Sequence, residues 1–139
     1  MSSRGSKFEV GSSKSVGSRP PLRSHEDLEA YQTSMDLVVR IHALCQSLPR
    51  DEKYELVGQM RRASKSVPAT IAEGFSKRAS AKEFKQYMRM AMGSANEMET
   101  HLKIAKNLGY GDRDTDELID HYNRVGRQLN RLILTWRSY

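Results

Sequence analysis

Four segments of the chain repeat apolar residues every three or four positions, the spacing that lines up side chains on one face of a helix. In the third and fourth segments the steps alternate strictly between four and three. No segment shows strand-like alternation. The sequence therefore predicts an all-α fold, an antiparallel up-down four-helix bundle. The four apolar rows are Leu28, Tyr31, Met35, Val38, His42, Cys45 and Leu48; Leu56, Met60, Ala63, Val67 and Ile71; Phe84, Met88, Ala91, Ala95, Met98, Leu102 and Ala105; and Leu118, Tyr122, Val125, Leu129, Leu132 and Trp136.

Capping and helix-breaking residues predict where each helix begins and ends. The predicted helices span about 25–48, 51–73, 80–108 and 114–137, and their short connections make consecutive helices antiparallel. Pro68 predicts a local bend near 64–67 in the second helix and not a break, because the apolar row continues past it. The predicted N-terminal caps are Ser24, Asp51, Ser80 and Asp114, and the predicted ends lie at Pro49, Gly74 and Gly109.

Length and composition agree with one domain. A chain of 139 residues falls in the size range of a single domain. It has no run of eighteen apolar residues and no apolar N-terminal segment, so we expect neither a membrane span nor a secretory signal. Cys45 has no second cysteine to pair with and lies on an apolar row, which indicates a small buried side chain. A cytoplasmic location is the expectation.

The net charge of +6 is concentrated outside the predicted bundle. Residues 1–24 contain five basic residues and one acid, which leaves +2 for residues 25–139. This first segment is rich in Ser, Gly and Pro and has little to bury, so we predict a disordered basic tail over 1–24 and the bundle over 25–139. The tail either contacts phosphates as a flexible arm or is only a solvated extension.

Basic residues form rows three and four apart on the predicted outer faces. The rows on the third and fourth helices are uninterrupted, because no acid lies between Glu83 and Glu97 or after Asp120. Concentrated positive charge suits phosphate binding, but no aromatic platform is interleaved, so we expect salt-dependent binding with little sequence preference. The candidate nucleic-acid-binding residues are Arg61, Lys65, Lys77, Arg78, Lys82, Lys85, Arg89, Arg124, Arg127 and Arg131.

A polar stripe runs beside the apolar row of the second helix. Glu73 lies in its last turn, where the helix dipole disfavours a negative charge, which suggests a compensating partner. Arg62 on the same stripe is about 16 Å away along the helix, so the partner must come from another helix or subunit. We interpret the stripe as a hydrogen-bonded network that fixes helix register or a subunit interface. Its proposed members are Gln59, Arg62, Ser66 and Glu73.

Catalytic and metal-binding patterns are absent from the sequence. Di-metal bundles use Glu-x-x-His pairs, whereas Glu97 and His101 are four residues apart. The same holds for Glu117 and His121. His42 and His101 lie on or beside apolar rows, which indicates core histidines. No Gly-rich phosphate loop, Cys–His nucleophile or zinc spacing occurs. We predict a non-enzymatic protein without a metal or a cofactor.

Short motifs in the second helix resemble a known family. They are QMRRA at 59–63, SVP at 66–68 and IAEG at 71–74. Together they resemble the signature of the four-helix bundle proteins encoded within 23S rRNA intervening sequences. That family is similar to the accessory variability determinants of diversity-generating retroelements. The resemblance extends over roughly residues 27–137, with Thr70 where the family usually has Asn and Leu48 where it usually has Phe.

The resemblance adds expectations about assembly and partners. It implies a ring-forming homo-oligomer, a pentamer, and the row Ile119, Gly126 and Ile133 independently suggests self-association. It also implies RNA, before DNA, as the ligand, and an accessory role in an RNA or reverse-transcriptase complex. The alternative is an oligomeric scaffold whose basic faces bind an acidic protein. Competition by unrelated RNA and DNA distinguishes the two.

Overall fold

The computed structural model describes residues 22–52, 55–111 and 113–137. Within them the chain forms four α-helices and two short 3-10 turns, and no strand. Most of the predicted tail therefore lies outside the described residues. The helices are α1 (Glu29–Gln46), α2 (Leu56–Phe75), α3 (Ala81–Asn107) and α4 (Arg113–Thr135), and the turns are His25–Asp27 and Arg50–Glu52.

The helices pack as an antiparallel four-helix bundle, which confirms the predicted fold. Each helix packs extensively on the next one in the chain, and α1 and α4 close the ring through a smaller contact. No described helix is long and apolar enough to span a membrane.

The predicted core rows of α2, α3 and α4 are buried. All five row residues of α2 and all seven of α3 belong to the core, and in α4 only Leu132 is partly exposed. Strict heptad spacing keeps a row on one helix face, which is why these rows were predictable. α2 continues without a break through the buried Pro68, as the unbroken apolar row indicated.

The predicted core row of α1 is wrong at most of its positions, although Leu28 and Cys45 are buried as predicted. The buried residues are Ala30, Ser34, Leu37, Ile41 and Cys45, while Met35, expected inside, is 44% exposed. The reason is Ser34, a polar residue in the buried row whose hydroxyl donates a hydrogen bond to the carbonyl of Tyr31 at 3.0 Å. With its hydroxyl satisfied by its own helix, a serine can be buried at little cost, and the apolar pattern skips it.

Three predicted helix starts also need correction. Ser24 caps the 3-10 turn His25–Asp27, and α1 begins only at Glu29. Asp51 lies within the second turn, and α2 begins at Leu56. That turn is held against the α3–α4 connection, because the hydroxyl of Tyr110 donates to a Glu52 carboxylate oxygen at 3.0 Å. α4 begins at Arg113, so Asp114 lies in the first turn of the helix.

Ser80 does cap α3 as predicted, since its hydroxyl oxygen accepts a hydrogen bond from the amide of Glu83. At the other end, Gly109 has a φ of 85° and follows the last turn of α3. The amide of Gly109 donates to the carbonyl of Lys106, and the amide of Tyr110 donates to that of Ala105. This pair of bonds is the Schellman motif that a positive-φ glycine permits.

Gly74 was expected to end α2, but it is helical and buried, one residue before the last residue of the helix. A Cβ at this position would lie 2.5 Å from the Cβ of Tyr87 and 2.8 Å from the Cε of Met88. The glycine is therefore required by the close approach of α2 and α3 and not by a left-handed helix end.

Candidate nucleic-acid interface

Antiparallel packing brings the basic sections of α3 and α4 side by side. At one end of the helix pair, the ring of Trp136 stacks on Phe84 with centroids 3.9 Å apart. At the other end, the Lys106 Nζ lies 2.7 Å from an Asp116 carboxylate oxygen. The first half of α3 therefore lies beside the second half of α4.

This arrangement divides the α3–α4 surface into two halves of opposite charge. Segments 81–93 and 122–135 contain six basic residues and a single acid, whereas 94–107 and 113–121 contain three basic and six acidic residues. We call the first pair of segments the basic half and the second pair the acid-rich half. The cations of the basic half are Lys82, Lys85, Arg89, Arg124, Arg127 and Arg131.

Several charges of the acid-rich half are paired. Glu117 accepts a hydrogen bond from the Arg40 guanidinium of α1 at 3.0 Å, and this bond holds the pKa of Glu117 below its ordinary value. His121 lies 3.6 Å from the same carboxylate, and Lys106 pairs with Asp116. These contacts join α4 to both of its neighbours in the bundle.

The six cations of the basic half have no such partners. Within the described ranges, none of them forms an ion pair with an acidic side chain. Lys82, Arg89, Arg124, Arg127 and Arg131 are exposed, and Lys85 is partly buried. An unpaired, exposed cation keeps its full charge available for a phosphate. The two predicted rows thus form one positively charged surface.

A groove of about 470 Å³ lies between α3 and α4, mainly within the basic half. Arg127 and Arg131 line it, and an Nη of Arg127 donates a hydrogen bond to the side-chain oxygen of Asn123. Glu99 contributes an acid at the end near the acid-rich half. Other lining residues include Met92, Asn96, Gly126, Asn130 and Leu134. The groove was not predicted from the sequence, although the seven-residue spacing of Asn123 and Asn130 indicates one polar helix face.

Two further candidates lie in the α2–α3 connection, beside the basic half. The guanidinium of Arg78 sits 4.2 Å from the ring centroid of Phe75 and donates to the carbonyl of Phe75 at 3.1 Å. The Lys77 Nζ lies 5.9 Å from the ring centroid of Tyr87. Both side chains are partly buried, so the aromatic contacts hold them in place next to the exposed cations.

The structure does not bring Arg61 and Lys65 to this surface. Arg61 reaches the Cys45 thiol of α1, on the side of α2 away from the groove, and its Nε is buried without a partner among the described residues. Burial raises the pKa of Cys45, and the nearby Arg61 opposes that rise. Lys65 is exposed, one helical turn further along α2.

The polar stripe of α2 is not linked internally among the described contacts. The hydroxyl of Ser66 donates to the carbonyl of Ala63 in its own helix at 2.9 Å, while Gln59 and Arg62 are exposed. Glu73 meets α3, where the Tyr87 hydroxyl lies 3.4 Å from its carboxylate. A network of these four residues, or their role at a subunit interface, stays a prediction.

The histidines near the core make local contacts. The Nδ1 of His42 lies 3.0 Å from the carbonyl of Val38, and the Nε2 of His101 lies 3.0 Å from a Glu97 oxygen. His101 is 8% exposed. Within the described ranges, no group of three or more His, Cys, Asp or Glu side chains could hold a metal ion.

One buried polar group was not anticipated from the sequence. Tyr122 was placed correctly on the core row, but its hydroxyl is buried with no hydrogen-bond partner among the described residues. Burial raises the pKa of Tyr122. The hydroxyl lies inside the bundle and does not contribute to the α3–α4 surface.

Comparisons with known proteins agree with the fold and with the motifs in α2. A family model described as 23S rRNA-intervening sequence protein matches residues 26–131. A crystal structure of a protein of unknown function from the S23 ribosomal protein family of Bacteroides thetaiotaomicron aligns with a TM-score of 0.68. It has 22% sequence identity to this chain, and the alignment covers 76% of this chain and 96% of that one.

No curated protein matches the chain. The similarity to accessory variability determinants of retroelements and the pentameric ring therefore stay predictions. The family itself does not, because the match covers most of the sequence, including every motif that carried the resemblance: the chain belongs to the 23S rRNA-intervening sequence protein family.

Proposed function

We propose that this protein binds nucleic acid, with RNA preferred to DNA, through the basic half of its α3–α4 surface, and that it catalyses no reaction. The observation that carries the proposal is the set of six clustered cations with no ion-pair partner among the described residues. Arginine and lysine side chains in such a cluster bind phosphates and release condensed counterions. Binding of this kind is tight at low salt and weak at high salt.

The position of Lys82 supports the proposal. Lys82 is in the first turn of α3, at the end of the helix where the dipole is positive. Cations are disfavoured there by about 0.3–1 kcal/mol at most, because the aligned peptide dipoles repel them. A cation at this end of a helix does not stabilise the helix, but it can bind an anionic ligand.

RNA is the first ligand to test because the family description refers to 23S rRNA. The proposal also includes self-association into a ring, which would repeat the basic half around the assembly and strengthen its field. Exposed apolar side chains support self-association, since they have no cover within one chain. They are Met35, Val39, Met90, Ile104 and Leu108. The proposal extends to an accessory role in an RNA or reverse-transcriptase complex.

The test is a titration of fluorescent RNA and DNA of one sequence over a range of salt concentrations. The variant Lys82/Arg89/Arg127→Ala removes three exposed cations of the basic half. The control Arg50/Lys103→Ala removes two exposed cations elsewhere. A plot of log K against log salt concentration has a negative slope, to which each phosphate contact contributes about 0.7–0.9 in magnitude. We expect the slope of the first variant to be less steep than that of the wild type by about 2. The control should bind like the wild type.

The mass of the assembly is measured on the same samples. If the folded wild-type protein binds neither RNA nor DNA at low salt, the proposed function is wrong. An acidic protein partner would then be the occupant of the basic half. If both variants lose the same affinity, binding is spread over the whole surface and the basic half has no special role.

A further inference from the structure

We infer that the groove between α3 and α4 receives a single nucleic-acid strand, whose bases face the asparagine side chains while its phosphates contact Arg127 and Arg131. This inference deepens the proposed function and depends on it. Charge alone does not specify the form of the nucleic acid or where it binds on the surface. The inference specifies both: a single strand, bound in the groove.

The floor of the groove is open at Gly126. Gly126 is in the interior of α4, where glycine is less favourable for helix stability than alanine. A Cβ at Gly126 would meet nothing within 4 Å, whereas a Cβ at Gly74 would collide with Tyr87. The packing of the bundle therefore explains Gly74 and does not explain Gly126. The space above Gly126 is open to a ligand.

Side chains around this space have the chemistry of nucleotide recognition. Asn96, Asn123 and Asn130 line the groove and are exposed. An amide offers both a donor and an acceptor, which matches the paired groups on base edges. The oxygen of Asn123 is already bonded to Arg127, which orients both side chains toward the same space.

The arginines determine where the phosphates lie. Arg127 and Arg131 line the groove from α4, and Glu99 lies at its end toward the acid-rich half. Guanidinium groups bind phosphate oxygens through paired hydrogen bonds, and a carboxylate repels them. A strand therefore places its phosphates along α4, away from Glu99.

The shape of the groove favours one strand over a duplex. Neighbouring helix axes in a bundle are about 8–10 Å apart, so the groove between them is narrow. A duplex shows its base edges only inside its own grooves, where concave surface side chains do not reach them. A single strand has unstacked bases that can turn toward the protein.

The decisive variant fills the groove without changing charge. Gly126→Leu places an isobutyl group on the groove floor, while the matched control Gly93→Leu adds the same group to α3. Gly93 also meets nothing within 4 Å but does not line the groove. We expect Gly126→Leu to weaken binding of a single-stranded oligonucleotide at least about tenfold, which corresponds to about 1.4 kcal/mol. Gly93→Leu should bind like the wild type, and both proteins should stay folded.

A second variant tests the asparagines. Asn96/Asn130→Ala removes two amides and no charge. We expect a severalfold loss of affinity for a base-containing oligonucleotide and no loss for an abasic oligonucleotide of the same length. If Gly126→Leu fails to fold, the Asn96/Asn130→Ala variant tests the inference alone. The inference is then overturned if this variant binds the base-containing oligonucleotide as tightly as the wild type does.

The remaining outcomes separate the two proposals. If Gly126→Leu binds like the wild type while Lys82/Arg89/Arg127→Ala is weakened, the groove inference is wrong and the proposed function stands. If the wild type binds no nucleic acid, both are wrong. If Gly126→Leu changes the mass of the assembly, the groove is a contact between copies of this chain, which also overturns the inference.

Discussion

The acid-rich and basic halves of the α3–α4 surface use charge in different ways. In the acid-rich half, Glu117 and Asp116 pair with Arg40 of α1 and Lys106 of α3, so charge joins helices. The basic half has a similar density of charge and, among the described residues, no ion pair. The difference teaches that the presence or absence of partners, more than the number of charges, distinguishes charge that joins helices from charge that is left unpaired on the surface.

The two halves of the α3–α4 surface also differ in packing. Ile119 and Gly126 occupy equivalent positions of the α4 heptad, seven residues apart. Ile119 is partly buried and packs against the core, in the acid-rich half. Gly126 leaves the same position open in the basic half. One half is therefore closed by its own side chains, and the other retains free space next to free charge.

The largest expected effect comes from reversing the charge of the basic half. Lys82/Arg89/Arg127→Glu should weaken RNA binding more than about hundredfold at moderate salt, because three attractive contacts become repulsive. The melting temperature should not fall, since these side chains have no acidic partner within the described ranges. Titration and thermal melting of one preparation test both parts. A marked fall in melting temperature would show that the cations do support the fold.

The next effect distinguishes the halves by packing. Ile119→Ala should lower the free energy of unfolding by about 1–2 kcal/mol, less than for a fully buried isoleucine because Ile119 is only partly buried. Gly126→Ala should raise the free energy of unfolding by about 0.5–1 kcal/mol, because alanine is the better helix former and its Cβ meets no atom. Urea unfolding measures both. If both substitutions changed the free energy of unfolding in the same direction, the proposed difference in packing between the two halves would be wrong.

A smaller effect is expected from neutralising the acid-rich half. Asp116/Glu117/Asp120→Asn/Gln/Asn should increase RNA affinity severalfold, because it removes repulsion from the same surface. It should also lower the melting temperature slightly, since Arg40 and Lys106 lose their partners. Unchanged melting would indicate that these exposed pairs contribute nothing measurable.

The smallest effect is a pH dependence at Glu117. The folded-state pKa of this carboxyl is lowered by Arg40, so it adds stability above its ordinary pKa of 4.5. That contribution is lost as the pH falls through the lowered folded value. Melting curves between about pH 6 and 3 should therefore decline more gently in Glu117→Gln than in the wild type. Parallel curves would contradict the assigned pairing.

The sequence was sufficient for three of the four helix faces and for the bundle. It failed on α1 because Ser34 satisfies its hydroxyl locally and can therefore be buried, which an apolar pattern does not reveal. The prediction for Gly74 was wrong because the sequence does not distinguish a glycine that ends a helix from one that allows two helices to approach closely. Only the folded structure places Tyr87 beside Gly74.

The candidate site was predicted in part. Both basic rows on α3 and α4 were visible, and antiparallel packing then placed them together. Arg61 was grouped with them because periodicity does not show that its guanidinium reaches Cys45 on the other side of α2. The groove was missed because its asparagines come from two helices, and only their packing makes one surface.

Trp136 provides a spectroscopic consequence of the fold. It is the single tryptophan of the chain, it is buried, and it stacks on Phe84 just beyond the last residue of α4. A buried, stacked indole emits at shorter wavelength than a hydrated one, so its fluorescence reports whether the end of α4 is docked on α3. The protein thus carries an intrinsic optical probe beside the basic half, usable for unfolding and for ligand titration without an attached dye.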